Sequence, residues 1–187
     1  MGAEVCLPRV RMEERGNGMT ELIFAIDPGN IDSAYVLMDA ETYAPRKFAK
    51  APNAEVRQAL EDALCDFGQA VTVVIERIAS YGMAVGKEVF ETCEWVGRFA
   101  ECAERGYGVP VEYVYRKDEK LTICGSPKAN DSNIRRALID RFATHDFKNG
   151  KGTVKTPDFF HGFGKDVWSA FAVGTTWLDM QEGGQRC

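Results

Sequence analysis

Two short, almost uninterrupted apolar runs constrain the fold of this 187-residue chain most strongly. The first, LIFAI at 22–26, is typical of a central strand buried on both faces, and it ends in Asp27 and the breaker pair Pro28-Gly29. The second, VTVVI at 71–75, is rich in β-branched residues and ends in Glu76. A sheet buried on both faces needs helices on each side, so we expect an α/β fold.

The remaining pattern places further elements around these two strands. A short polar turn at 30–33 leads into a second predicted strand at 34–38, and Pro45 precedes a third, edge strand at 46–50. Apolar spacing predicts helices over about 53–67, 87–105, 132–143 and 165–180, and a fifth strand at 109–115. The order β-β-β-α-β-α-β-α-α predicts a five-stranded mixed sheet whose first three strands form an antiparallel meander, with helices on both faces.

We expect one domain over 20–182, with a flexible leader at 1–19 and a short tail at 183–187. The residues are 45% hydrophobic and 27% charged, as in an ordinary water-soluble protein. No apolar run approaches the roughly 18 residues that a membrane helix needs, and the leader lacks the apolar core of a secretory signal. The six cysteines form no CxxC pair and are expected to be reduced thiols in the cytoplasm.

Charge is distributed unevenly along the chain. The formal net charge is −5, yet residues 116–155 contain ten Lys or Arg against five Asp or Glu. That segment therefore carries +5 and the remainder −10, which is compatible with a local basic face on an acidic body. A solvated surface without a binding role would give the same count.

Three acids occupy positions where chemistry can occur. Asp27 and Glu76 end two strands, and Asp166 begins the last predicted helix. The carboxyl ends of parallel strands meet at one edge of a sheet, and a helix entering there would bring a third acid close. Clustered carboxylates suit a hard divalent cation such as Mg²⁺ or Mn²⁺, which can activate water for phosphodiester cleavage. Each acid alone could instead be a turn or helix-capping residue.

Four pieces of the sequence, in order, resemble the RuvC family of Holliday-junction resolvases in the RNase H-like superfamily. They are IDPG at 26–29, VIE at 74–76, a basic segment around Lys128 and residues 134–136, and KDVWSAFA at 165–172. The match spans about residues 22–180, and its style is closest to phage-encoded members. Compared with the family pattern, Ser169 stands where a fourth acid is usual. Asp158 and His161 lie nearby in sequence and are candidates to take the place of that acid.

The resemblance implies a Mg²⁺-dependent endonuclease (Mn²⁺ is an alternative) that cleaves branched DNA as a homodimer, leaving 5′-phosphate and 3′-hydroxyl ends. Asp27, Glu76 and Asp166 would be the metal ligands, and Ser169 would complete the catalytic set. If the chain is phage-encoded, the compartment would be the host cytoplasm. The helix after Glu76 would supply core or dimer contacts through its apolar side.

Five residues are candidates for contacts with DNA: Lys128, Arg135, Arg136, Lys151 and Tyr81. The first four carry charge that can meet phosphates, and Tyr81 could stack on a base. Arg135 and Arg136 are adjacent on a helix and point to different sides, so we expect only one of them to meet DNA. Solvent-exposed charges without a DNA role are the alternative.

Three other functions share parts of this pattern. A flap, debranching or RNA–DNA hybrid nuclease with the same fold would use the same acids. A catalytically inactive RNase H-like module would bind DNA or protein without cutting, and the serine at 169 favours it. A sugar-kinase-like phosphotransferase would need glycine-rich phosphate loops and two lobes, for which the chain is too short.

Overall fold

A computed structural model describes residues 21–80, 82 and 84–184 of the protein. The expected leader at 1–19, Tyr81 and the last residues of the expected tail lie outside this part, so the domain boundaries stay predictions. Within the described residues, no helix is both long and apolar enough to cross a membrane. The four cysteines in this part, Cys65, Cys93, Cys102 and Cys124, are free thiols.

Five strands form one mixed sheet in the order β3-β2-β1-β4-β5. The antiparallel meander expected from the sequence is present, because β1 pairs with β2 and β2 with β3 in antiparallel fashion. The two later strands run parallel to β1, since β1 pairs with β4 and β4 with β5. The strands are β1 (Leu22–Asp27), β2 (Asp32–Asp39), β3 (Pro45–Pro52), β4 (Val71–Arg77) and β5 (Val111–Tyr115).

Five α-helices surround the sheet. They are α1 (Asn53–Phe67), α2 (Lys87–Glu101), α3 (Arg116–Cys124), α4 (Asp131–Phe142) and α5 (Lys165–Gly184). A short 3₁₀ turn (Gly68–Ala70) follows α1, and a π-helical turn (Cys102–Gly106) continues α2. The predicted helices at 53–67, 87–105, 132–143 and 165–180 are thus confirmed within a few residues.

Side chains of the strands alternate between two buried clusters, one on each face of the sheet. On one face Leu22, Phe24 and Ile26 pack with α1 and the end of α2. On the other face Ile23, Ala25 and Val74 pack with α4 and α5. Helices on both faces, as predicted, bury most of the two central strands, which explains why their sequences are largely apolar.

The sequence pattern missed one helix, α3. Its sequence, RKDEKLTIC, is so highly charged that it shows no apolar stripe, and it begins at the residue after β5 without a loop. Such a helix depends on packing against its neighbours more than on its own amphipathic pattern. The correct order is therefore β-β-β-α-β-α-β-α-α-α.

Candidate active site

Asp27 and Glu76 lie side by side at the carboxyl ends of the two central parallel strands. Ile26 pairs with Ile75, so the two acids that follow are neighbours on the face covered by α5. Burial, the charge of Glu76 and a hydrogen bond between the two carboxyl groups raise the pKa of Asp27 to about 8. A shared proton between two carboxyl groups is the usual outcome when like charges meet without a cation.

The turn after Asp27 is held by its own hydrogen bonds. The Asn53 amide donates to the carbonyl oxygen of Gly29 at 2.9 Å, and the Ser33 hydroxyl donates to the Asn53 side chain. A Cβ at Gly29 would lie 2.2 Å from the carbonyl oxygen of Asp32, so the turn requires glycine. Asn53, the first residue of α1, thus fixes the turn that follows Asp27.

A third acid, Glu119 of α3, reaches the same region from beyond β5. Its side chain is fully buried, and Arg116, one turn earlier, forms an ion pair with it. Burial raises the pKa of Glu119 to about 9, and the charges of Glu76 and Asp27 act in the same direction. The sequence reasoning did not identify Glu119 or Arg116, although the end of a third parallel strand was the place to look.

Asp166, the third predicted acid, begins α5 and faces the same region but has another partner. Its Oδ2 is 2.6 Å from the Nζ of Lys50 on β3, a residue that the sequence reasoning also missed. Asp166 still lies close enough to Asp27 for its charge to raise the pKa of that carboxyl. We call Asp27, Glu76, Glu119 and Asp166 the acidic site.

The donor atoms of the acidic site fit a hard divalent cation. Among the residues that the structure describes, no three Asp, Glu, His or Cys side chains stand as a group that could hold a metal ion. The predicted sharing of one ion by Asp27, Glu76 and Asp166 therefore stays a prediction. Mg²⁺ is commonly held by only one or two carboxylates together with water and substrate phosphate, which the adjacent pair of Asp27 and Glu76 can provide.

A basic cavity of about 300 Å³ lies next to the acidic site between α3, α4 and α5. Ser169 is in its wall, and the Arg135 guanidinium lies 4.8 Å from the centre of the Trp168 ring. The wall consists of Arg116, Asp131, Ser132, Ile134, Arg135, Lys165, Trp168 and Ser169. A larger cavity of about 490 Å³ lies between α1 and α2 and contains none of the four acids.

The predicted DNA contacts separate into two groups. Arg135 lines the basic cavity, and Lys128 is exposed in the segment between α3 and α4. Arg136 instead pairs with Asp140 at 2.8 Å and donates to the carbonyl oxygen of Phe147. Lys151 lies in the loop between α4 and α5, and Tyr81 is outside the described residues.

Asp158 organises the loop between α4 and α5. Its buried carboxylate accepts hydrogen bonds from the backbone N–H groups of Thr144, His145, Asp146 and Phe159. Burial alone would raise its pKa, but these hydrogen bonds outweigh burial and hold the pKa far below its usual range. His161 directs its Nδ1 at the carbonyl oxygen of Lys151. Both residues thus have hydrogen-bond partners within the loop.

The sheet order, the meander and the acids at the ends of β1 and β4 define an RNase H-like fold. The particular fold is that of the RuvC-type resolvases. RuvC of Thermus thermophilus, solved with a Holliday junction substrate, superimposes with a TM-score of 0.63 at 12% identity, covering 88% of this chain and 96% of that one. The yeast mitochondrial Holliday junction resolvase Ydc2 gives 0.55 at 13% identity, covering 92% and 83%.

These structural similarities confirm the predicted RuvC-like relationship at the level of the fold. Neither protein-family models nor curated protein sequences match the chain. The similarity is therefore one of architecture, and the assignment of residues to roles depends on the geometry of the site.

Proposed function

We propose that this protein is a divalent-metal-dependent endonuclease that cleaves branched DNA, with four-way junctions as its substrate. The observation that carries the proposal is the contact between Asp27 and Glu76 at the centre of an RNase H-like sheet. Two half-buried acids in contact would be better replaced by apolar residues if they served stability alone. A divalent cation, when bound, would supply the Lewis acid that activates water and stabilises the leaving oxygen.

The chain's own residues divide the remaining work. Asp27 and Glu76 would hold the cation, and the rigid turn at Gly29 keeps Asp27 in place. Lys50 and Arg116 neutralise part of the negative charge of Asp166 and Glu119. The basic cavity next to the acids is suited to a substrate phosphate, because Arg135 and Lys165 stand in its wall. The acid in that wall, Asp131, is already paired with Arg116.

The choice of branched DNA is supported by what the structurally similar proteins do. One was solved with a Holliday junction and the other is a Holliday junction resolvase. Symmetric cutting of a junction needs two active sites, so we propose a homodimer. The first part of α2 offers a surface for it, with Phe90 60% exposed and Val85 39% exposed just before the helix. The phage-type origin and the cytoplasmic compartment stay predictions.

The decisive experiment is cleavage of a synthetic four-way junction with Mg²⁺ and with a chelator. We expect paired nicks that require Mg²⁺ or Mn²⁺, and a loss of activity of roughly 10²-fold or more in Asp27→Asn, because removal of one charge-stabilising group commonly costs that much. Equal cleavage of a flap or an RNA–DNA hybrid would favour another RNase H-like nuclease. Binding of the junction without any cleavage in either metal would support the inactive module and contradict the proposal.

A further inference from the structure

Glu119 stands at the edge of the sheet where catalysis is proposed, although it comes from a different element. The β5 strand pairs in parallel with β4, and Glu76 is opposite Val114 in that pairing. The α3 helix begins directly after β5, so its first turn starts at the same edge at which Glu76 ends. Glu119 is the fourth residue of this helix, and no part of its side chain is exposed to solvent.

One of the two carboxylate oxygens of Glu119 has no partner. Its Oε2 forms the ion pair with Arg116, whereas Oε1 is buried without a hydrogen bond. A buried carboxylate oxygen normally accepts a hydrogen bond or binds a metal ion, because desolvation without a partner is unfavourable. Besides Arg116, the charged groups that act on Glu119 are Glu76 and Asp27, and both disfavour its ionised form.

A purely structural role does not account for this arrangement. Arg116 has a second acidic partner in Asp131, so its charge is compensated without Glu119. An apolar side chain at 119 would pack in the same place without facing two other acids. The surplus of acids over bases at this edge is of the kind that a divalent cation balances.

We propose that Glu119 supplies the fourth carboxylate of the metal centre from α3, with its free Oε1 as the donor atom. This role is otherwise left vacant, because the residue three positions after Asp166 on α5 is Ser169. The inference depends on the proposed metal-dependent function and extends it. In this chain the fourth carboxylate would thus come from α3, which follows β5, and not from α5.

The test is a calorimetric titration of the full chain with Mn²⁺ in the absence of DNA. We expect Glu119→Gln to weaken the Kd for Mn²⁺ by roughly tenfold or more, as loss of groups around a metal site commonly does. Glu112→Gln, on the exposed side of β5, serves as the matched control and should leave the Kd within about twofold. The chelated Glu119→Gln protein should melt at or above the wild-type temperature, because a neutral amide cannot ionise beside the other acids.

Two outcomes with the Glu119→Gln variant would overturn the inference. One is an unchanged Kd in Glu119→Gln. The other is a lower melting temperature of the chelated variant together with an unaltered Mn²⁺-induced rise in Tm, which would identify Glu119 as only the partner of Arg116. If Glu119→Gln does not fold, Glu119→Met takes its place, because methionine fills a similar volume without charge. An unchanged Kd for Mn²⁺ in that variant would overturn the inference as well.

The titration also separates this inference from the proposed function. Wild-type protein that binds Mn²⁺ through Glu119 but leaves junctions intact would contradict the function and keep the inference. If the wild-type protein cleaves junctions and Glu119→Gln binds Mn²⁺ equally well, the proposed function is supported and the inference is contradicted. Absence of any Mn²⁺ binding by the wild type would overturn the inference directly.

Discussion

Two carboxyl groups in contact make the centre of this protein electrostatically unfavourable without a cation. Asp27 and Glu76 meet because parallel pairing leaves no freedom in where the ends of β1 and β4 lie. Their contact is therefore a property of the sheet and not of flexible side chains. The energetic cost of this contact should be measurable in the metal-free protein as a dependence of stability on pH.

With a chelator present, we expect the free energy of unfolding to fall as the pH rises between the ordinary pKa of 3.8 and the raised value of about 8 for Asp27. In that window the native protein keeps a proton that the unfolded chain has lost, so rising pH favours unfolding. Urea denaturation across about pH 5 to 8 should show this decline, with Asp27 contributing at most about 1.4 kcal/mol per pH unit.

Asp27→Asn should reduce the slope, although not to zero, because Glu119 also has a raised pKa and contributes with the same sign. Asp66→Asn, an exposed acid at the end of α1, is the control and should leave the slope unchanged. A slope that is identical in the wild type and Asp27→Asn would show that Asp27 ionises normally in the native state.

At the scale of elements, the strands and long helices followed from the sequence, but the surroundings of the acids did not. Asp27 and Glu76 were predictable because each directly ends an apolar run. The contact of Lys50 with Asp166 was not predictable, because the sequence of an edge strand does not indicate which distant helix will pack against it. Glu119 was missed together with α3, whose charged sequence resembles an exposed loop and is ordered by its packing between β5 and α5.

The α4 helix provides a matched pair for testing the basic cavity. Arg135 stands in the cavity wall, whereas Arg136, the next residue, is held by Asp140 and the backbone of Phe147. We expect Arg135→Ala to weaken junction binding roughly tenfold at low salt and to lower the salt slope by about 1, because one phosphate contact is lost.

Arg136→Ala should change neither quantity appreciably. Fluorescence anisotropy of a labelled junction at several salt concentrations would measure both. Equal losses in the two variants would mean that the charge of α4 acts at long range and that the cavity has no specific role.

At the scale of the whole molecule, the sheet separates two surfaces. The acidic site and the basic cavity belong to the face covered by α3, α4 and α5, whereas α1 and the end of α2 cover the other face. The start of α2 projects Phe90 to solvent, and Val85 just before the helix is also exposed.

We expect the wild-type protein to have the mass of two chains in light scattering, and Phe90→Asp to have the mass of one, because a charge in an apolar interface is costly. Phe147→Asp is the control, since Phe147 is similarly exposed, at 57%, but lies in the loop after α4. The wild type measuring as one chain at every concentration would contradict the homodimer.

Because Lys50 on β3 pairs with Asp166, the charge of the acidic site depends on how β3 is aligned with β2. Lys50 faces α5 because it pairs with Ala34, while its neighbours Ala49 and Ala51 face the opposite core. Strand side chains alternate strictly, so an insertion in the β2–β3 turn that shifts the pairing by one residue would place Ala49 opposite Ala34, and a shift by two would place Phe48 there. Asp166 therefore keeps its counter-ion only if the pairing register of β2 and β3 is unchanged.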